Sequence, residues 1–122
     1  MKKKEVKVAI VGSRTFNSYD EVVAVMSTFI SSNDVTVTEI VSGGAKGADT
    51  YAMDFARRHG LKLIVFFPDY KKYDKQAPLI RNKLIVEECD CLLAFWDGQS
   101  RGTKFTLDYA IEKGKPIKIV KF

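Results

Sequence analysis

The stretch E-I-V-S-G-G-A-K-G-A-D at residues 39–49 joins an apolar run to a helical pattern through a turn with three glycines. Such a turn exposes backbone N–H groups at the start of a helix, here residues 45–48, where the helix dipole favours an anion. Gly43 and Gly44 would let a ligand approach the backbone, and Gly47 would permit tight packing of the helix. The stretch therefore predicts an α/β fold with a phosphate-type ligand at this junction.

This turn matches neither of two common nucleotide motifs. In the dinucleotide pattern Gly-x-Gly-x-x-Gly the first glycine is replaced by Ser42, and the turn follows the second predicted strand, not the first. In the phosphate-binding loop a lysine follows the last glycine and precedes Ser or Thr, whereas here Lys46 precedes Gly47. The turn therefore indicates neither NAD nor ATP, and we predict no cofactor.

Length and composition are those of one ordinary domain. The chain has 122 residues of which 46% are apolar, so we predict a single domain over residues 1–122. Cys89 and Cys91 are too close in sequence for an ordinary disulfide, and the absence of other Cys or His pairs at ligand spacing predicts no metal site. The basic run Met1–Lys4 precedes only a short apolar segment, which predicts neither a signal peptide nor a membrane span and hence a cytoplasmic protein.

Apolar runs alternate with helical patterns along the chain. Five runs predict strands, at residues 7–11, 38–41, 61–67, 91–96 and 116–120. Four amphipathic segments predict helices, at residues 18–31, 45–59, 78–88 and 102–112, and Ser18 or Asp20 is the expected first N-cap. Strands so uniformly apolar are typical of a parallel sheet that is covered on both faces. We predict a three-layer Rossmann-like α/β fold with a mostly parallel five-stranded sheet.

Three polar loops follow predicted strands at one edge of this sheet. In open parallel sheets ligands bind beyond the carboxyl ends of the strands, near the point where strand order reverses. Residues 12–15 follow the first strand, residues 42–49 the second and residues 97–103 the fourth. We therefore expect these loops to converge on one ligand site.

Charged side chains in the loops suit an anionic ligand. Arg14 comes directly after a predicted buried strand. Its guanidinium would donate two hydrogen bonds to a phosphate or carboxylate, or else form a structural ion pair. Arg101 and Lys104 lie at the start of the last helix, where basic residues oppose the helix dipole unless an anion is bound. Asp49 has two interpretations, since it would satisfy loop N–H groups or accept a hydrogen bond from a ribose hydroxyl.

Further candidates lie at the margins of these loops. Trp96 ends the fourth predicted strand, where its ring would stack on a base or fill the edge of the sheet. Arg81 follows Pro78 on a predicted helix and would reach the site from the side, or be an ordinary ion-paired residue. Single-stranded nucleic acid is a second, less favoured partner. It is indicated by the net charge of +5 and by residues 70–75, where basic and aromatic residues are interleaved.

Four blocks of sequence, in order and over nearly the whole chain, resemble the YspA/YpsA-related branch of the SLOG superfamily. They are residues 11–14 (V-G-S-R), 42–49 (S-G-G-A-K-G-A-D), 77–82 (A-P-L-I-R-N) and 95–103 (F-W-D-G-Q-S-R-G-T). That superfamily includes the LOG phosphoribohydrolases, which remove the base from cytokinin ribotides, DNA-processing protein A, which handles single-stranded DNA, and sensors of nucleotide-derived signals. The resemblance implies a Rossmann-like fold, a nucleotide-type ligand, a homo-oligomer, and a ligand or subunit contact for Arg81 and Asn82.

The resemblance leaves the activity open. LOG enzymes carry Pro-Gly-Gly-x-Gly-Thr-x-x-Glu, in which the Gly-Thr helix start holds phosphate and the Glu acts at the ribosyl centre. Here Gly102 and Thr103 are retained, but Thr106 stands at the position of the Glu. Because a hydroxyl replaces neither the proton acceptor nor the charge of a carboxylate, we favour a sensor, carrier or sink over a LOG-like hydrolase of nucleoside monophosphates. In a hydrolase, Asp97 or Asp49 would be the catalytic carboxylate.

The predicted ligand-binding residues come from the three loops, the helix near Pro78 and the end of the fourth strand. They are Gly12, Ser13, Arg14, Ser42, Gly43, Gly44, Ala45, Lys46, Gly47, Asp49, Arg81, Asn82, Trp96, Asp97, Ser100, Arg101, Gly102 and Thr103.

Overall fold

The computed structural model describes residues 3–122, so Met1 and Lys2 of the basic run that opens the chain lie outside the described residues. Strands and helices alternate through this part of the chain. They are β1 (Lys4–Gly12), α1 (Tyr19–Asn33), β2 (Val35–Ser42), α2 (Ala48–Arg58), β3 (Lys62–Val65), α3 (Tyr70–Tyr73), a 3₁₀ turn (Asp74–Gln76), α4 (Ala77–Glu88), β4 (Cys91–Trp96), α5 (Arg101–Glu112) and β5 (Ile117–Lys121).

The five strands form one sheet in the order β3-β2-β1-β4-β5. Every neighbouring pair is parallel, and Val8 of β1 lies in register with Ile40 of β2 on one side and Cys91 of β4 on the other. The chain runs outward from β1 to β3 and then crosses back to β4. Strand order therefore reverses between β1 and β4, and the predicted Rossmann-like fold is confirmed.

Helices cover both faces of the central strands. On one face α1 and α2 pack on side chains such as Val8, Ile10 and Phe95, and on the other α4 and α5 pack on Ala9 and Leu92. The alternation of these two sets along β1 explains why that strand is apolar at nearly every position from residue 8 to residue 11. Among the helices of residues 3–122, none combines the length and apolar character needed to cross a membrane.

Burial on both faces was expected for all five strands, and for β3 and β5 this expectation is wrong, since neither strand has a buried residue. Ile119 is 44% exposed and Phe122, directly after the strand, is 52% exposed. Within the described residues β5 pairs only with β4, so it lies at an edge of the sheet where helix cover is thinner. β3, the opposite edge strand, ends at Val65, two residues earlier than predicted.

The start of α1 follows one of the two predicted caps. Ser18 is the N-cap, and its hydroxyl oxygen accepts a hydrogen bond of 3.1 Å from the N–H of Glu21. Asp20 lies instead within the first turn, where its charge faces the positive end of the helix dipole.

Two local differences shape the ligand edge of the sheet. α2 begins at Ala48 and not at residue 45, because Gly47 is its N-cap with a φ of +80°. A side chain at Gly47 would overlap the backbone carbonyl of Ser13, so the β2–α2 turn lies directly against the β1–α1 loop. Part of the loop predicted between residues 68 and 77 is the short helix α3, which Asp69 caps by accepting from the N–H of Lys72 at 3.2 Å.

Candidate functional site

A cleft of about 400 Å³ opens at the carboxyl edge of the sheet, above the point where strand order reverses between β1 and β4. Its volume lies within the range of small-molecule sites in proteins. It is lined by Val11, Gly12, Ser13, Arg14, Thr15, Ala45, Asp49, Pro78, Leu79, Arg81, Asn82, Asp97, Ser100, Gly102, Thr103 and Thr106.

The cleft brings together most of the residues that the sequence predicts to bind ligand. They are Gly12, Ser13, Arg14, Ala45, Asp49, Arg81, Asn82, Asp97, Ser100, Gly102 and Thr103. Loops after β1, β2 and β4 thus converge as predicted, and α4 adds a fourth wall. Ligand contact for each of these residues stays a prediction.

Three predicted residues lie behind the cleft and support its wall. Ser42 donates a hydrogen bond to the carbonyl of Asp49 at 3.1 Å and accepts one from the N–H of Gly44 at 3.3 Å. The carbonyl of Gly43 accepts a hydrogen bond from Arg81. Gly44 lies against the ring of Phe67, which leaves no space for a side chain there. In this structure these residues shape the turn without lining the cleft.

Trp96 and Arg101 also lie outside the walls of the cleft. The indole N–H of Trp96 donates to the carbonyl of Ser100 at 3.1 Å, and the ammonium of Lys121 lies 5.7 Å from the centre of its rings. The sequence allows two interpretations of Trp96, and this position favours the one in which its ring fills the edge of the sheet. Arg101 is exposed to solvent.

Of the two basic residues at the start of α5, Lys104 has a partner within the helix. Lys104 forms an ion pair of 2.8 Å with Asp108, one turn along the same helix. The charge of Lys104 is therefore balanced within α5 without a bound anion.

A second hollow of about 340 Å³ adjoins the cleft and was not predicted as a separate feature. It contains Lys46 and Gly47, which the sequence assigns to the same site as the other loop residues. Its lining residues are Arg14, Thr15, Phe16, Asn17, Lys46, Gly47, Thr50 and Tyr51. Arg14 and Thr15 also line the cleft, so the two cavities share one wall.

Buried opposite charges lie at the back of the cleft. Asp49 is 6% exposed and Arg81 is 9% exposed. The carboxylate of Asp49 accepts from the N–H of Ala45 at 3.2 Å, which is the first of its two interpretations, since it satisfies the loop. Arg81 donates to the carbonyl of Gly43 and, at 2.8 Å, to the side chain of Asn82. The N–H of Ala45 is therefore already engaged, and α2 begins at Ala48, three residues after the predicted start.

Burial raises the pKa of Asp49 to about 6. The N–H of Ala45 and the positive charge of Arg81 favour the ionised form but offset only part of the cost of desolvation. Burial also lowers the pKa of Arg81, against the attraction of Asp49. Near neutral pH Asp49 is therefore an ionised carboxylate in an environment that penalises its charge.

This environment predicts a pH-dependent difference between the protein and Asp49→Asn. In the unfolded chain Asp49 ionises near its ordinary pKa of about 4, so between about pH 4 and pH 6 unfolding gains from ionisation that the folded state resists. We expect the free energy of unfolding of the protein, relative to Asp49→Asn, to fall across this range by about 3 kcal/mol and then level off. Urea denaturation at pH 4, 5, 6 and 7 measures the difference.

Asp108→Asn is the control for this profile, because Asp108 is an exposed carboxylate on α5. The difference in the free energy of unfolding between the protein and Asp108→Asn should not show the fall between pH 4 and pH 6 that is expected for Asp49→Asn. A constant difference between the protein and Asp49→Asn at all four pH values would contradict the predicted environment of Asp49.

Asp97 joins two walls of the cleft. One of its carboxylate oxygens accepts from the N–H groups of Gln99 and Ser100, each at 2.8 Å, and its own N–H donates to the hydroxyl oxygen of Ser13 at 3.1 Å. The hydrogen bonds from Gln99 and Ser100 lower the pKa of Asp97. A carboxylate held this way stabilises the loop and is a weak proton acceptor.

Thr106, the residue at the position of the LOG glutamate, does line the cleft. It is buried, and its hydroxyl donates to the carbonyl of Gly102 at 2.9 Å, one turn earlier in α5. The position that the resemblance points to therefore faces the site, and it carries a hydroxyl that is already engaged.

Sequence reasoning missed the contributions of Pro78 and Leu79 to the cleft. Leu79 is 37% exposed despite its apolar side chain, which is consistent with a position at the mouth of a cavity. Both residues belong to the block at 77–82 that resembles the family, and this position in the block is the signal that points to them.

Comparison with known proteins supports both the family and the fold. Residues 6–73, which are 68 of the 122 residues, match a family model described as YAcAr, the YspA, cpYpsA-related SLOG family. A comparison with curated proteins gives no match.

Two solved structures of DNA processing protein A share the fold. The protein from Streptococcus pneumoniae has a TM-score of 0.73 and 25% identity, and the match covers 93% of this chain and 49% of that one. The protein from Helicobacter pylori, described for its single-stranded DNA binding mode, has a TM-score of 0.69 and 23% identity, with 93% and 64% covered. The chain thus spans about half of the first relative and less than two thirds of the second.

Proposed function

The chain belongs to the YspA, cpYpsA-related SLOG family, and from this premise we propose that it binds a nucleotide or a nucleotide-derived phosphorylated ribose in the cleft. In this proposal the protein acts as a sensor, carrier or sink for that molecule and does not turn it over. Homo-oligomerisation remains part of the proposal, as the family resemblance implies.

The observation that carries the proposal is the convergence of loops after β1, β2 and β4 on one cleft at the reversal of strand order. At the start of α5, the hydroxyls of Ser100 and Thr103 lie 3.2 Å apart beside Gly102, a group suited to the phosphate. Arg14, an exposed residue of the β1–α1 loop, would neutralise it, and Ser13, which also lines the cleft, would contact the ribose.

Three side chains support binding over hydrolysis of the N-glycosidic bond. Thr106 offers no carboxylate at the position where the hydrolases have glutamate. Asp97 is engaged by loop N–H groups that lower its pKa. Asp49 is buried and holds the turn through Ala45. A hydrolase would need one of the two carboxylates to leave its structural contacts and reach the ribosyl centre.

The proposal is tested by mass spectrometry of small molecules released from the purified, denatured protein, together with equilibrium dialysis against the four nucleoside monophosphates. We expect a nucleotide-type molecule to be released or at least one monophosphate to bind. Arg14→Ala should weaken that binding about tenfold, because a charge-assisted contact is lost. Arg57→Ala, which removes an exposed arginine from the far end of α2, is the matched control and should leave the affinity unchanged.

Other results would contradict the proposal. Release of free base that Asp97→Ala abolishes would identify a hydrolase. Salt-sensitive binding of single-stranded oligonucleotides that is lost on replacing Lys71, Lys72 and Lys75, with no binding of mononucleotides, would identify the exposed segment around α3 as a nucleic-acid surface. Absence of any nucleotide or oligonucleotide binding would reject both readings.

A further inference from the structure

The second hollow lies directly beside the cleft, and we infer that it receives a second phosphoryl group of the ligand. The bound molecule is then of the nucleoside diphosphate type, with two linked phosphoryl groups, and a monophosphate fills only the cleft. This inference rests on the proposed function. It extends that function because the residues of the hollow, which differ from most of those in the cleft, indicate how many phosphoryl groups the ligand has.

The cleft and the hollow are continuous with each other. Arg14 and Thr15 line both, so a ligand bound in the cleft has a direct path into the hollow. The close approach of Gly47 to the backbone of Ser13 brings the β2–α2 turn against the β1–α1 loop, which makes the hollow a neighbour of the cleft and not a separate surface feature. Both cavities are therefore within reach of one small molecule.

The hollow and the cleft differ in the charges of their lining residues. The hollow is lined by two cations, Arg14 and Lys46, and by no Asp or Glu. Within residues 3–122 neither cation has a carboxylate partner within 4.0 Å. In the cleft, by contrast, Asp49 and Asp97 offset the charges of Arg14 and Arg81. The hollow is thus the more positive of the two cavities, and an additional anionic group is more stable there.

The remaining residues that line the hollow include two aromatic rings and two neutral polar side chains. Phe16 is buried and packs edge to face against Tyr51, with ring centroids 6.0 Å apart. Thr50 is fixed by donating a hydrogen bond of 2.9 Å to the carbonyl of Ala45. Asn17 adds an amide donor. The amide of Asn17 can donate to a phosphate oxygen, and none of these four residues carries an opposing charge.

Arg14 at the shared wall explains why linked phosphoryl groups fit. Its planar guanidinium has five N–H donors and can contact two neighbouring oxyanions at once. A phosphoryl group in the cleft and a second one in the hollow would both lie within reach of this side chain. A monophosphate would leave Lys46 without an anionic partner.

The test compares nucleoside monophosphates with the corresponding diphosphates, using adenine, guanine, cytosine and uracil pairs in titration calorimetry at constant ionic strength. For the preferred base we expect the diphosphate to bind at least about tenfold more tightly than the monophosphate. Lys46→Ala should remove most of this preference, because it weakens diphosphate binding about tenfold more than monophosphate binding. Lys104→Ala is the matched control, because it removes an exposed lysine that pairs with Asp108 and lines neither cavity.

The outcomes separate this inference from the proposed function. Equal affinity of the protein for monophosphate and diphosphate, or equal weakening of both by Lys46→Ala, would overturn the second subsite and leave nucleotide binding in place. Equal effects of Lys46→Ala and Lys104→Ala would also overturn it, since the preference would then reflect overall charge. Failure of every monophosphate and diphosphate to bind would reject the proposed function itself.

Discussion

Gly12→Ala should lower the free energy of unfolding by about 3 kcal/mol, because β1 and β4 leave no room for a side chain at their junction. A Cβ at position 12 would overlap the backbone carbonyl of Phe95 and would lie 2.9 Å from the Cβ of Ala48. Phe95 and Ala48 are buried, so relief requires a shift of the β4 backbone or of α2. Urea denaturation monitored by circular dichroism measures the change.

Gly102→Ala is the matched control for this substitution. Gly102 lies in the first turn of α5, and a Cβ there would meet no atom within 4 Å. Alanine is favoured over glycine in a helix, so the control should be neutral or slightly stabilising. Similar losses of stability in Gly12→Ala and Gly102→Ala would show that the β1–β4 junction is not close-packed.

Arg81→Ala should weaken nucleotide binding about a hundredfold, the largest effect expected of a single side chain in the cleft. The substitution leaves the buried carbonyl of Gly43 without its donor and Asp49 without the nearby positive charge that favours its ionised form. The cleft would also lose one of its cations, and the turn from β2 to α2 would lose the hydrogen bond that joins it to α4. Titration calorimetry with the nucleotide that the protein binds measures the loss.

Two further variants keep this prediction falsifiable if the alanine variant folds poorly. Arg81→Lys retains a positive charge but not the planar fork, and its affinity should lie between those of the protein and Arg81→Ala. Arg57→Ala removes an exposed arginine whose one ion pair within residues 3–122 is with Asp54 at 3.9 Å, so this variant should bind normally. Unchanged affinity in both Arg81 variants, with thermal stability intact, would exclude this residue from the site.

The sequence alone predicted the layers and the position of the cleft because those follow from patterns that are local. Val8 to Val11 and Cys91 to Trp96 are apolar at nearly every position, which indicated central parallel strands. Once the sheet is parallel, every loop after a strand lies at the same edge, so Gly12, Asp49 and Thr103 were expected together. The structure agrees on each of these points.

What could not be predicted depends on contacts between distant segments. The exposed edge strand β5 looks like a core strand in sequence, because burial depends on which strand has a neighbour on both sides. The beginning of α2 is set by Gly47 meeting the backbone of Ser13, a contact between two loops. The division of the ligand edge into a cleft and a hollow lies beside that contact, with Arg14 and Thr15 lining both cavities. Lys46 belongs to the loop that the sequence predicts, and in the structure it lines the hollow and not the cleft.

The contacts of Ser13 with two neighbouring loops affect the rate at which a ligand enters and leaves the cleft. Its carbonyl lies against Gly47 and its hydroxyl accepts from the N–H of Asp97, so the walls from β1, β2 and β4 are joined at one residue. Independent opening of any of these three loops would break that junction. The wall from α4 reaches the β2–α2 turn through the side chain of Arg81. Entry and release are therefore expected on the α4 side, and the residence time of a ligand should follow the lifetime of the contact between Arg81 and Gly43.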